Sequence, residues 1–165
     1  MQILQALVFA AISYLSPGAK GAPPIAHAIA AEVSAHCVEP GALGGSCALD
    51  AIALGVTAYE EGKLCLGTAC LRGDHDRSSS TFQTMGRTPE ETALYERDLG
   101  AATRQAYYIL RASAAQCPDE PLAGYTGGCG RRGARAIARP RLALARMLAE
   151  IVMPEDAEDD EMARE

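Results

Sequence analysis

Glu60 and Glu61 are adjacent carboxylates that close an otherwise apolar helical pattern, in Ala58-Tyr59-Glu60-Glu61-Gly62. A carboxyl that stays protonated can deliver its proton to a leaving oxygen, the acid step of glycosidic cleavage. The dipole and unpaired carbonyls of a helix C-terminus disfavour an ionised side chain there. Apolar neighbours such as Leu64 and Tyr125 would act in the same direction by desolvation. Adjacent helical residues point about 100° apart, so the two glutamates are not expected to share one groove. The alternative is a plain solvated helix end.

Two further segments carry polar chemistry. Residues 73–85 hold Asp74, His75 and Asp76, then Phe82-Gln83-Thr84-Met85, and residues 122–128 read Leu-Ala-Gly-Tyr-Thr-Gly-Gly. Gln83 and the Tyr125 hydroxyl are donors and acceptors suited to a neutral polar ligand, although Tyr125 could equally be core. Asp74 or Asp76 could supply the second carboxylate that a hydrolase uses to position water, or belong to a polar turn. No CxxC or HxxxH spacing points to zinc, and His27 and His36 have no partners in sequence. Gly-x-Ser-x-Gly, P-loop and dinucleotide fingerprints are absent, so neither metal nor cofactor is expected. Arg131, Arg132, Arg135, Arg139 and Arg141 form a basic stretch. It reads first as a solvated face, second as a contact for an anionic polymer or for peptide carboxylates, and third as a contact for nucleic acid.

Six cysteines in 165 residues suit three disulfides and an oxidising compartment. Pairing of sequence neighbours gives Cys37–Cys47, Cys65–Cys70 and Cys117–Cys129. The balance of 21 acidic against 15 basic residues, net −6, argues against a general nucleic-acid binder. Much of that acidity lies in residues 155–165. Asn is absent, which removes N-linked glycosylation.

The elements that must position these residues are predicted to be helices. Residues 3–15 are almost wholly apolar, the length of a signal-peptide core but without a basic residue before it. The segment 1–22 is therefore either a targeting segment or a packed helix. A helix follows Pro23-Pro24 with Ile25, Ile29 and Val33 at four-residue spacing. Another covers residues 48–61 with Leu49, Ile52, Val56 and Tyr59 on one stripe and Gly62 just past its end. Residues 65–84 lack a helical period and end in a β-leaning Ser80-Thr81-Phe82-Gln83. Thr88-Pro89-Glu90-Glu91 reads as a capping box. Residues 98–116 are expected to be the longest helix, residues 124–133 a glycine-rich loop, and Pro140 the start of a last helix. One domain over 23–153 and an acidic flexible tail over 154–165 complete the expected organisation.

The order and spacing of the three segments, with a long helix between the second and third, resemble the lysozyme-like superfamily, specifically the lytic transglycosylase domains of bacteria and phages. There a helix ends in a catalytic Glu usually followed by Ser. A Gly-x-x-Gln segment, often Gln-x-Met, comes about twenty residues on, and a Tyr-Asn-Ala-Gly loop follows the long helix. Here Glu61, Phe82-Gln83-Thr84-Met85 and Tyr125-Thr126-Gly127-Gly128 fall at those places, and the resemblance covers roughly residues 25–150. The departures are Gly62 for Ser, Ser80 or Thr81 for the small Gly, and Thr126 for Asn.

The resemblance implies a mostly α, lysozyme-like domain with a small irregular or β segment at the substrate groove. It implies MurNAc–GlcNAc strands of peptidoglycan as partner, Glu61 as acid and then base, and Phe82, Gln83, Tyr125 and Thr126 as sugar contacts. The 6-hydroxyl of the substrate would attack and leave a 1,6-anhydro sugar, whereas a hydrolase would draw on Asp74 or Asp76. It places the protein outside the cytoplasm (periplasmic or secreted) or in a phage virion. The rival is a non-catalytic structural or wall-binding protein of the same fold, such as a virion or tail component among other virion proteins.

Overall fold

The computed structural model describes residues 1–67, 70 and 78–153. In chain order these form α1 (Gln2–Leu15), α2 (Ala22–His36), α3 (Cys47–Gly62), β1 (Ser78–Ser79), β2 (Thr84–Met85), α4 (Pro89–Arg97), α5 (Leu99–Gln116) and α6 (Arg132–Val152). The expected mostly α architecture is what is found. None of these helices is long and apolar enough to cross a membrane.

Helix α3 is the centre. Ser46 caps its start by accepting the Leu49 N–H, and every residue from Leu49 to Ala58 is buried. The amphipathic stripe expected there is thus only part of the truth, because α1, α2 and α6 all pack against this helix. Small residues let them approach: a Cβ on Gly55 would lie 3.2 Å from the Ile12 side chain. Helix α1 buries Val8, Ala11 and Ile12. Helix α2 turns Ile25, Ile29 and Val33 inward, as their spacing predicts. Helix α5 packs on α2, and α4 leans on α5 and on the hairpin. The capping box at Thr88 forms, with its hydroxyl accepting the Glu91 N–H and the Glu91 carboxylate accepting the Arg87 N–H at 2.7 Å.

Two boundaries differ from expectation. The longest helix is α6, not α5, because it starts at Arg132 and carries Pro140 in its interior. Proline lacks the N–H that would bond the carbonyl four residues back. The packing of Ala134 and Ala138 in the core nevertheless holds the helix upstream of it. The β-leaning residues 80–83 are not strand but the turn of the hairpin, whose register pairs Ser78 with Met85 and Ser79 with Thr84.

One carboxyl side chain, Asp50, lies wholly inside the described core. It accepts the Ala42 and Leu43 N–H groups at 2.8 and 3.0 Å and the Tyr107 hydroxyl at 3.2 Å. Burial pushes its carboxyl above the ordinary range, and these bonds act against that. The carboxyl fastens the loop before α3 to α5. Disulfides Cys37–Cys47, Cys65–Cys70 and Cys117–Cys129 tie the chain at the pairings expected from sequence, and suit an oxidising compartment. Residues 74 and 76 and the tail from 154 lie outside the described residues.

Two outcomes follow. Thiol titration of denatured, unreduced protein should find no free group, and six reactive thiols would refute the pairing. Asp50→Ala strands two backbone donors and a phenol, so denaturant unfolding should show a loss of about 2–4 kcal/mol.

Candidate active site

Parts of the chain far apart in sequence meet at the C-terminal end of α3. The helix ends at Gly62, and Lys63 (φ 50°) and Leu64 (φ 59°) turn the chain away in the left-handed region. Their N–H groups bond back to Tyr59 O at 2.9 Å and Ala58 O at 3.2 Å. Gly62 is therefore not the left-handed residue past the helix, as its type suggested. What it contributes is the lack of a side chain, since a Cβ there would sit 2.3 Å from the carbonyl oxygen of Thr81. The hairpin turn lies directly on the helix end. Thr81 Oγ1 secures it by donating to Cys65 O at 2.6 Å.

The turn itself is strained. Ser80 (φ 75°) and Gln83 (φ 49°) join Lys63 and Leu64 as the non-glycine residues of positive φ among those described. Such conformations cost roughly 1–3 kcal/mol each and persist where the surroundings over-determine them. Lys63 and Leu64 follow the end of the Glu61 helix, and Ser80 and Gln83 lie in the turn whose Thr81 touches it.

Glu61 is ion-paired with Arg141, whose Nη1 donates to Oε1. The Arg141 side chain is 12% exposed and that of Glu61 26%, so the pair stands at a partly open edge. Arg141 thus leaves the solvated basic face to which the sequence assigned it. Its neighbours divide differently: Arg139 pairs with Glu120, and Arg135 Nε donates to Cys129 O at 2.9 Å. One sequence signal was available for Arg141. It falls on the stripe of Ala134, Ala138, Ala145 and Leu148, all buried, where a lone cation asks for a partner. Glu60 lines a cleft of about 300 Å³ with Ala136, Ile137, Pro140, Leu144 and the same Arg141. Arg141 therefore pairs with Glu61 and shares the lining of this cleft with Glu60.

Tyr125 approaches from the loop after α5. Its hydroxyl donates to Phe82 O at 3.0 Å and its N–H to Ser113 Oγ at 3.2 Å. Burial, with the nearby Glu61 charge acting in the same sense, pushes the phenol far above its usual value, so it is a neutral group at any physiological pH. Gly124 seats that loop on α5, for a Cβ there would meet Ser113 Oγ at 2.6 Å.

The other expected sugar contacts are turned to internal work. Phe82 is completely buried and cannot touch a sugar; its ring anchors the turn in the core while its carbonyl holds Tyr125. The Gln83 amide accepts from Ser78 Oγ at 3.3 Å and donates to Ser80 O at 3.2 Å. Thr126 Oγ1 donates to Ala134 O at 2.9 Å, joining the loop to α6. Among the described residues no three His, Cys, Asp or Glu side chains cluster as a metal site requires. The arrangement can hold a carboxylate beside a cation and a neutral phenol, at the mouth of a part-apolar cleft.

Gly62→Ala places a methyl against a backbone carbonyl that no rotamer change can move. Unfolding titrations should show a loss of about 2–4 kcal/mol, and an unchanged stability would mean the turn does not rest on the helix end.

Comparison with protein-family models, with curated proteins and with solved structures finds no match to this chain.

Proposed function

We propose that the chain cleaves peptidoglycan as a lytic transglycosylase or muramidase, acting on MurNAc–GlcNAc strands with Glu61 as general acid and then base. The observation that carries this reading is convergence. Glu61, the hairpin turn with Gln83, and Tyr125 are separated by long stretches of chain, yet Gly62 touches the turn and Tyr125 bonds to it. Left-handed backbone crowds the same place, and such strain gathers at functional sites.

The departures from the lytic transglycosylase pattern also have physical reasons. Where those domains carry Ser after the Glu, the backbone of Thr81 here leaves no room for a side chain. Where they carry a small Gly before the Gln, Ser80 adopts a φ of 75°, a glycine conformation. Thr126, in the Asn place, holds the loop to α6. The reading treats the protein as a lysozyme-like domain that works outside the cytoplasm or from a virion, with the glycan strand as its partner.

The chemistry runs through one carboxyl. Glu61 gives a proton to the glycosidic oxygen, and its carboxylate then takes the proton of the attacking hydroxyl, from the substrate's own 6-position or from water. Tyr125, neutral and fixed on Phe82 O, holds the wall of the groove. One observation favours a second reading, a wall-binding virion or tail component without turnover: Phe82 is buried and the Gln83 and Thr126 polar groups bond within the protein.

The experiment is digestion of purified sacculi. Glu61→Gln should abolish muropeptide release, at least ~10²-fold, while Glu60→Gln leaves most activity. Mass spectrometry of the products separates anhydro ends from the reducing ends that a water-positioning Asp74 or Asp76 would yield. Equal digestion by Glu61→Gln and parent refutes the assignment, and no release by the parent favours the binding protein.

A further inference from the structure

We infer that Arg141 is an exchangeable clamp: it holds Glu61 in the unliganded protein and passes its guanidinium to a carboxylate borne on the glycan strand's side groups. The inference rests on the glycan-cleaving reading above and names the substrate feature which that site would take.

The pair as it stands is not ready to donate a proton. A carboxylate oxygen bonded to a guanidinium is an acceptor, so Arg141 has to leave before Glu61 can carry the proton it delivers. Arg141 is built into the buried stripe of α6 and is 12% exposed, so bulk water is a poor alternative partner for it. The adjoining cleft offers a better one. Arg141 stands in that cleft of about 300 Å³ beside apolar walls from Ala136, Ile137, Pro140 and Leu144. An apolar trough with one cation in its wall fits a short alkyl chain ending in a carboxylate. The lactyl ether of a muramic sugar has that chemistry, and so has the peptide stem that extends it. The bond to Glu61 uses one of the guanidinium's five N–H donors, so the incoming carboxylate can engage the fork before the first lets go.

Charge balances across the exchange. The guanidinium trades one carboxylate for another, and Glu61 takes a proton from solvent. The groups that act on Glu61 are Arg141 from α6 and Tyr125 from the loop, while the Lys63 ammonium lies over the Tyr59 ring. Glu60, in the same cleft, repels an anion, so binding depends on Arg141 rather than on a generally basic surface.

The test uses the full chain and peptide-free glycan strands, with lactyl carboxylates either free or methyl-esterified. A second pair of strands carries peptide stems with free or esterified carboxylates, which separates the two sources. Wild-type kcat/KM should favour the free acid of one pair about tenfold or more. Arg141→Gln should lose that preference and Arg141→Lys retain part of it. Glu61→Gln, which removes the competing carboxylate, should bind the same free-acid strand about tenfold tighter than wild type and the esterified strand no tighter. That binding arm decides the matter if Arg141→Gln fails to fold. Equal wild-type rates on free and esterified forms of both pairs overturn the clamp and leave the glycosidase reading intact. Retention of the preference by a folded Arg141→Gln protein also overturns it. A folded wild type that cleaves no strand overturns both.

Discussion

The rest of the molecule is arranged around a helix that has no solvent face along most of its length. From Leu49 to Ala58 each residue of α3 is buried, and a helix can be enclosed that way only if its neighbours come close on several sides. Ala51, Ala53, Gly55 and Ala58 make this possible. The Ile12 side chain lies where a larger residue at 55 would need room. Enclosure also sets what the ends of the helix can be. At the start, the buried Asp50 gathers backbone donors from the preceding loop and a hydroxyl from α5. At the finish, Glu60 and Glu61 emerge from the apolar interior as the first acidic groups after it.

That geometry explains why the far end of α3 is both crowded and polar. The turn of the hairpin presses its backbone on Gly62, and the chain on each side of the contact adopts left-handed conformations at Lys63, Leu64, Ser80 and Gln83. Hydrogen bonds from Thr81 to Cys65 and from Tyr125 to Phe82 hold the strained pieces together, with the Cys65–Cys70 disulfide close by in the chain. Into this frame α6 brings Arg141. A carboxylate at the edge of an apolar core is costly without a partner, and the guanidinium meets that need while leaving the pair at a partly open edge.

Much of the fold was legible in the sequence because its signals are local. Four-residue apolar spacing marked α2, Thr88-Pro89-Glu90-Glu91 marked the start of α4, and the cysteines paired with their nearest neighbours. The errors came where a local rule met a non-local force. Pro140 reads as a helix start, but the core-facing Ala134 and Ala138 extend α6 upstream of it. Ser80-Thr81-Phe82-Gln83 has strand-like composition, but the buried Phe82 and the contact with Gly62 require a turn there.

The site divides along the same line. Residue type and order were enough to single out Glu61, Gln83 and Tyr125, and the spacing of Glu60 and Glu61 on one helix follows from 3.6 residues per turn. Sequence also contained Arg141 on an apolar stripe, without any sign of which acid it would meet. Only the tertiary structure could decide that, because the pairing joins side chains 80 residues apart. It depends on the angle at which α6 crosses α3. The same holds for Phe82, Gln83 and Thr126, whose polar and apolar groups can face a ligand or the protein's own backbone with equal local propensity. Packing, which requires buried donors and acceptors to find partners, turned them inward.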